Sequence, residues 1–290
     1  MTLPTRRLGR TGHQSSVAIL GGAMFGRTDP DTTAEAFQLA LDAGVNHVDI
    51  APSYGNAEIV AGPLIAANRH RLFVAEKTGR KNRDGVRAQL ETSLERLGCE
   101  WFDLYQAHGV TSLDDLETRT DAFEAILRAR DEGLVRHVGI TGHDLTTAAA
   151  QLQAVKRFDL DTVMLPVYAG ALAIDQYARD LAALLNECSR RDVAVMAIKV
   201  GAHRPWGEQE KNADTWYDPW HDQDHITQGV RFTLSTPGVV ACCTPGDTTL
   251  LPLVLAAAEA YEPLTPAERD ALLAEAADWP TIFPLEMHAR

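Results

Sequence analysis

Asp49, Tyr54, Lys77 and His108 are the residues of this 290-residue chain whose types and spacing can do chemistry together. Tyr54 lies in the stretch "VDIAPSYGNAE", in a Pro-Ser-Tyr-Gly-Asn turn where a ring is poorly placed to fill a core. Asp49 ends the apolar run before that turn, Lys77 ends "FVAEK" and His108 follows "LYQA". A tyrosine with its ordinary pKa of about 10 donates a proton poorly, and a neighbouring ammonium stabilises the tyrosinate and lowers that pKa. Lys77 can supply the charge, Asp49 can hold Lys77 in a salt bridge, and His108 can orient a carbonyl oxygen or share the proton relay. Such a group protonates an oxygen as negative charge develops on it. Carbonyl reduction by hydride has that need, and since no side chain gives a hydride, a nicotinamide has to supply it. Singly, each residue has a plainer reading: a cap or ion-pair partner for Asp49, a packed loop anchor for Tyr54, a solvated lysine, a structural histidine. The argument rests on the set.

Apolar runs of four to six residues recur along the chain, each followed by a helical pattern. The runs are "VAIL" (17–20), "HVDI" (47–50), "LFVAEK", "FDLYQAH", "VRHVGIT", "DTVMLPV", "VAVMAIKV" and "VVACC". They read apolar on both faces, as buried parallel strands do, and helices stop at Gly44, Gly98 and Gly133. Eight strand-then-helix units in one chain predict a (β/α)8 TIM barrel, an α/β fold, as one domain over 1–290. The other alternating architecture, a doubly wound open sheet, is disfavoured because "AILGGAMFG" lacks the G-x-G-x-x-G that opens a dinucleotide-binding helix. "RRLGRTGHQSS" reads as an N-terminal β-hairpin turning at Thr11-Gly12 that can plug the barrel bottom. "LTPAERDALLAEAADW" reads as an extra C-terminal helix with Thr265 as N-cap and Pro266 at its first position. Active sites on this barrel lie at the C-terminal strand ends, where Asp49, Lys77 and His108 fall.

Net charge is −13, from 40 acidic and 27 basic residues, which argues against nucleic acid or an anionic membrane as partner. No apolar stretch approaches the roughly 18 residues of a membrane span, and no signal peptide is readable behind "MTLPTRRLGRTGHQ". Cys99, Cys188, Cys242 and Cys243 form no CxxC pair and read as reduced thiols of a cytoplasmic protein, with Cys242 and Cys243 on opposite faces of a strand. His203, His221, Asp222, Asp224 and His225 fit no metal-ligand spacing, so no metal is expected.

From end to end the chain resembles the aldo-keto reductase family. The resemblance is carried by "RRLGRTGHQSSVAILGGAMFG", "GVNHVDIAPSYGNAE", "FVAEKT", "LERLGCEWFDLYQAHG", "GLVRHVGITGH", "VMAIKVGA" and "LSTPGVVACCTPG", in that order. It implies Tyr54 as general acid, Lys77 as its pKa partner, Asp49 as the buttress of Lys77 and His108 as the residue that positions substrate. It implies NADP(H) or NAD(H), held around Gly22, Met24, Asp49, Thr141, Gly142, Met164, Lys199, Gly246 and Asp247. Thr141-Gly142 stand where the family usually has serine-asparagine, Met164 where it has glutamine, and Ile198-Lys199 near its stacking aromatic. "CTPGDTTLLPL" offers Asp247 where a base usually grips the 2′-phosphate, which favours NADH, while Lys199, Arg204 and Lys211 are bases in reach. "MAIKV" and "GITGH" resemble a sub-branch some of whose members carry an iron-sulfur segment; its cysteines are not in this sequence, so no cluster is expected.

The segment 201–225 after the seventh strand is long for a loop and holds Trp206, Trp216, Tyr217 and Trp220. Its aromatics predict an ordered segment, with Trp206, Trp216 and Trp220 joining Tyr54 and His108 around the substrate; an oligomer contact is the alternative use of such residues. Three functional classes stay open: an oxidoreductase acting on an aldehyde, ketone or sugar, a non-catalytic nicotinamide-binding regulatory subunit, and a redox-neutral enzyme on the same barrel.

Overall fold

The computed structural model describes residues 2–283. The chain opens with an antiparallel hairpin, β1 (Thr5–Arg7) and β2 (Gln14–Ser16), turning through Gly12 in the left-handed region. Eight strands then follow: β3 (Ala18–Gly21), β4 (His47–Asp49), β5 (Phe73–Thr78), β6 (Phe102–Ala107), β7 (Val135–Thr141), β8 (Thr162–Pro166), β9 (Ala194–Ile198) and, after a small hairpin of β10 (Ala202–Arg204) and β11 (Asp218–Pro219), β12 (Val239–Cys243). They close into a barrel in the order β12-β3-β4-β5-β6-β7-β8-β9 with every ladder parallel. This is the expected (β/α)8 barrel.

Helices return the chain between strands: α1 (Pro30–Asp42), α2 (Ala57–Ala67), α3 (Arg83–Leu97), α4 (Leu113–Glu117), α5 (Thr120–Asp131), α6 (Thr147–Arg157), α7 (Ala169–Leu172), α8 (Asp175–Arg191), α9 (Gln223–Leu234) and α10 (Leu251–Glu259). Local chemistry sets their ends. Asp29 caps α1 by accepting from the Thr32 N–H ahead of Pro30, and Asn82 caps α3 by accepting from Gly85. The extra helix α11 (Pro266–Ala276) begins with the Thr265–Glu268 capping box. The short α4, α7 and the β10–β11 hairpin were not legible in the sequence, being too short to establish a period.

Two apolar layers hold the barrel. Val48, Val74, Tyr105, Ile140, Val163, Val195 and Cys242 face the helices, while Ile19, Phe73, Ala75, Leu104, Met164, Met196, Ala241 and Cys243 fill the bore. Cys242 and Cys243 thus take opposite faces, and all four cysteines are buried free thiols. Leu8, fully buried, joins the bore cluster, and His13 stacks 4.5 Å from Phe73 at the start of β5, so the hairpin does plug the N-terminal mouth. No helix among the described residues is long and apolar enough to cross a membrane.

One buried carboxyl works against this packing. Glu76 lies between the bore-facing Ala75 and Lys77, so the pleat turns it toward the helix layer, where it is fully buried. Its Oε1 accepts from the Lys77 N–H at 2.7 Å, and its Oε2 has no partner among the described residues. Burial, then the nearby Glu58, push its pKa well above the ordinary carboxylate range against the Lys77 bond. A group whose pKa rises on folding takes up a proton, so its contribution is intact below its unfolded value and is lost as pH rises through the folded value. Glu76→Gln keeps the acceptor and removes the ionisation. The variant is expected to gain about 1–3 kcal/mol of unfolding free energy at pH 8 and almost none at pH 4, read from urea melts; an equal change at both would show that the carboxyl's charge carries no cost.

Candidate active site

The pleat gathers one inward-facing residue from seven of the barrel strands, and His108 from just past the end of β6, at the C-terminal rim. Gly21, Asp49, Lys77, His108, Thr141, Met164, Ile198 and Cys243 line a common cavity of about 200 Å³, joined by Tyr54 from the loop after β4. Tyr54 is placed by the backbone behind it. Gly55 takes φ 53° and packs so closely on the Gly26 carbonyl that a Cβ would lie 2.4 Å from it, and the Asn56 N–H donates to that carbonyl at 3.0 Å. The Tyr-Gly pair therefore docks the turn onto the segment after β3 and leaves the ring facing the cavity.

Lys77 Nζ donates to Asp49 Oδ1 and, at 3.0 Å, to the Ile50 carbonyl. Gln106 Nε2 donates to Asp49 Oδ2 at 3.0 Å, so both carboxylate oxygens are occupied. The ammonium lies 4.9 Å from the centre of the Tyr54 ring, and that ring meets His108 edge-on at 5.6 Å. Ser53 Oγ is 3.4 Å from His108 Nδ1. The four residues selected from the sequence thus form one contact set.

The electrostatics differ from expectation at Tyr54. Burial raises its pKa, Lys77 lowers it and Asp49 raises it, and the sum pushes it up to about 12. Lys77 acts in the expected direction, but desolvation outweighs it. Burial alone would lower Lys77; Asp49 and Tyr54 more than offset this and hold it above the ordinary lysine value. Burial, with Lys77 and Arg119, lowers His108 to about 3, and burial, with Lys199 and His108, sends His143 well below the ordinary histidine value. Beside Lys199, the cavity therefore presents a protonated phenol, a fixed ammonium and two neutral imidazoles. Such a set can donate a proton to an oxygen and hydrogen-bond it.

The cofactor and substrate assignments divide. Asp49, Thr141, Met164, Lys199, Gly246 and Trp216 line the cavity. Gly22 and Met24 do not: a 3-10 turn over Gly22–Phe25 sends Met24 into the core, and Gly21 and Ala23 face the cavity instead. Gly142 is packed behind the wall, where a Cβ would lie 1.7 Å from Thr147 Oγ1. Asp247 lines the adjoining groove with Arg27, Lys211 and Asp214. It caps the turn after β12 through Thr249 N–H and also accepts from the Asp214 N–H at 2.7 Å. Arg204 is held by Asp218 in the β10–β11 hairpin, at 2.9 Å.

Only one of the three tryptophans reaches the cavity. The Trp206 ring is buried beneath it, its N–H donating to the Thr215 carbonyl at 2.8 Å. Trp220 is sandwiched between His203 and His225, with ring centres at 3.6 and 3.8 Å. Both brace the loop that carries Asp214, Thr215, Trp216 and Tyr217 to the rim. Among the described residues, no three His, Cys, Asp or Glu side chains gather as metal ligands.

Gln106, His143, Tyr217 and Cys243 were not selected from the sequence. Gln106 had a signal: it lies on β6 two residues before His108, which directly follows the strand, so the pleat turns both to one face. Cys243 had the same signal, as the inward end of the last strand.

Comparison with known proteins agrees with this geometry. The sequence profile of the aldo/keto reductase family matches residues 18–235. The chain is 30% identical over 140 residues to the aldo-keto reductase YhdN of Bacillus subtilis, covering 43% of this chain and 41% of that protein. It is 36% identical over 129 residues to an aldo-keto reductase of Mycolicibacterium paratuberculosis, covering 42% and 43%. The matched region thus spans less than half the length of these curated relatives. In fold it is similar to the aldo-keto reductase AKR11C1 from Bacillus halodurans in its holo form, with a TM-score of 0.72 and 20% identity over 99% of this chain and 100% of that one. With three quarters of its length on the family profile and the family's barrel around its cavity, the chain belongs to the aldo/keto reductase family.

Proposed function

We propose that this protein is a nicotinamide-dependent oxidoreductase that interconverts a small carbonyl compound and its alcohol. The carrying observation is the Tyr54 ring packed on an ammonium that Asp49 fixes, beside a neutral His108, all on one cavity. In reduction Tyr54 gives its phenolic proton to the carbonyl oxygen while Lys77 offsets the charge left on the phenolate. Neutral His108 donates a hydrogen bond to the same oxygen and sets its place. Gln106 and Asp49 keep Lys77 from turning away.

The wall opposite suits a nicotinamide. Gly21 and Gly246 leave it without side chains, Met164 offers an apolar face, and His143 has a buried Nδ1 with no partner among the described residues. Thr141, His143, Met164 and Gly246 would hold the ring and its carboxamide, and the group would supply the hydride. Asp247 weighs toward NADH by repelling a 2′-phosphate, and Arg27 and Lys211 in the same groove weigh toward NADPH.

Tyr54→Phe removes the donor and keeps the ring. It should lower kcat for carbonyl reduction by about 10²–10⁴-fold and leave dinucleotide affinity nearly intact, followed by nicotinamide absorbance and fluorescence titration. A kcat close to that of the parent would sink the assignment.

Alcohol oxidation uses Tyr54 as a base, so its rate should climb with pH through the alkaline range below the raised pKa of about 12. Lys77 lowers that pKa, so Lys77→Met moves it up and slows oxidation at every pH below it. The same change strands the Asp49 carboxylate, at a cost of about 3–5 kcal/mol in stability. The double variant Asp49→Asn/Lys77→Met should recover most of that loss in urea melts while oxidation stays slow. Normal oxidation in the double variant would make the ion pair a purely structural device.

A further inference from the structure

One amine in the cavity, that of Lys199, has no counter-charge among the described residues. Lys199 follows the last residue of β9, and both Ile198 and Lys199 line the cavity. Regular pleating forbids this for consecutive residues, since Ile198 already faces the bore with Met196 and Ala194. The break is made by the backbone, for Lys199 has φ 75°. Lysine gains nothing locally from the left-handed region, where glycine or asparagine sits more easily. Strain of this kind persists where the surroundings enforce it, and it clusters at binding sites.

The strained turn delivers the ammonium to an aromatic corner. Nζ lies 4.7 Å from the centre of the Trp216 ring and 5.1 Å from that of Tyr217. It makes no hydrogen bond or ion pair with any described residue. Among the described residues, the carboxylates that line the cavity are committed elsewhere: Asp49 to Lys77, and Asp214 to Arg27 at 2.7 Å. His108 and His143 are neutral and supply no negative charge. Ring faces return only part of the hydration that an ammonium loses. Burial accordingly draws Lys199 down to about 7, with Cys243 opposing.

We infer that Lys199 is an anion-recognition residue, and that the carbonyl substrates of this enzyme carry a compact anionic group, a carboxylate, on an apolar body laid against Trp216. This rests on the reductase reading and deepens it. A carboxylate matches one cation more closely than a phosphate, which calls for several donors. The other source of an anion at this point is a phosphate of the dinucleotide.

The test uses the full-length protein and three variants: Lys199→Met, Lys199→Arg and Lys199→Gly, the last of which relieves the backbone and keeps the fold from being at risk. The probes are 4-carboxybenzaldehyde and its neutral methyl ester. The parent should prefer the acid in kcat/KM by about tenfold or more, the worth of one charge-assisted contact. Lys199→Met and Lys199→Gly should abolish that preference through KM, with Lys199→Arg restoring part of it. Dinucleotide affinity, titrated separately, should move far less. An unchanged acid-to-ester ratio in Lys199→Gly, or a loss confined to dinucleotide affinity, overturns the inference and leaves the reductase reading standing. If the parent reduces neither aldehyde, the reductase reading fails with these probes, and quenching of tryptophan fluorescence by benzoate still decides the anion site. Quenching in the parent that is lost in Lys199→Gly upholds the site, and equal quenching in both overturns it.

Discussion

The ion pair between Lys77 and Asp49 is the constraint on which the rest of the site depends. Both side chains are almost wholly excluded from water, and removing two charges from water costs more than their attraction returns unless hydrogen bonds complete the shell. The barrel completes it. The Ile50 carbonyl takes one ammonium proton and Gln106 satisfies the second carboxylate oxygen. These groups come from β4, β5, β6 and the start of the loop after β4, so the pair is satisfied only when three adjacent strands are in register.

That fixed ammonium then sets the protonation of its neighbours. Tyr54 is held as a phenol because desolvation exceeds the pull of Lys77, yet the pull makes its proton easier to give than burial alone would allow. His108 is held neutral by burial and by the same ammonium, so it can donate a hydrogen bond but cannot act as the acid. Burial and this one charge thus set the two groups' protonation apart, which in the proposed reaction leaves Tyr54 as the single donor to a carbonyl oxygen.

The barrel and the gathering of Asp49, Lys77 and His108 at its rim were legible because both follow from short-range periodicity. Apolar runs at strand length, separated by helical patterns, are enough to count eight units, and a polar residue at the end of such a run has to lie on the rim. The sign of the net shift at Tyr54 was not legible, since it depends on how far the cavity excludes water, a property of the closed barrel. Gln106 was legible in principle from the two-residue period but reads as an ordinary strand polar residue without its partner. Gly22, Met24 and Gly142 fall outside the cavity for one reason: the pleat holds only within a strand, and each of them lies past a strand end, where a turn resets the face.

The loop over 201–225 shows what aromatic content does and does not announce. Four large rings in one segment predict that it packs on itself, and Trp206 and Trp220 do so on the Thr215 carbonyl and on two histidine rings, with Trp220 also meeting Trp279. Their packing holds Trp216 and Tyr217 over the cavity, and those two rings in turn are the contacts of the Lys199 ammonium among the described residues. The tryptophans that never touch the cavity therefore act on its charge. They fix an apolar corner in which Lys199 has no counter-ion among the described residues, and on the inference above this makes the sign of an incoming group matter. In the proposed reading, reaction chemistry on β4 to β6 and charge selection by the loop after β9 are physically separate, so a change in the loop would alter what is bound without altering the proton donor.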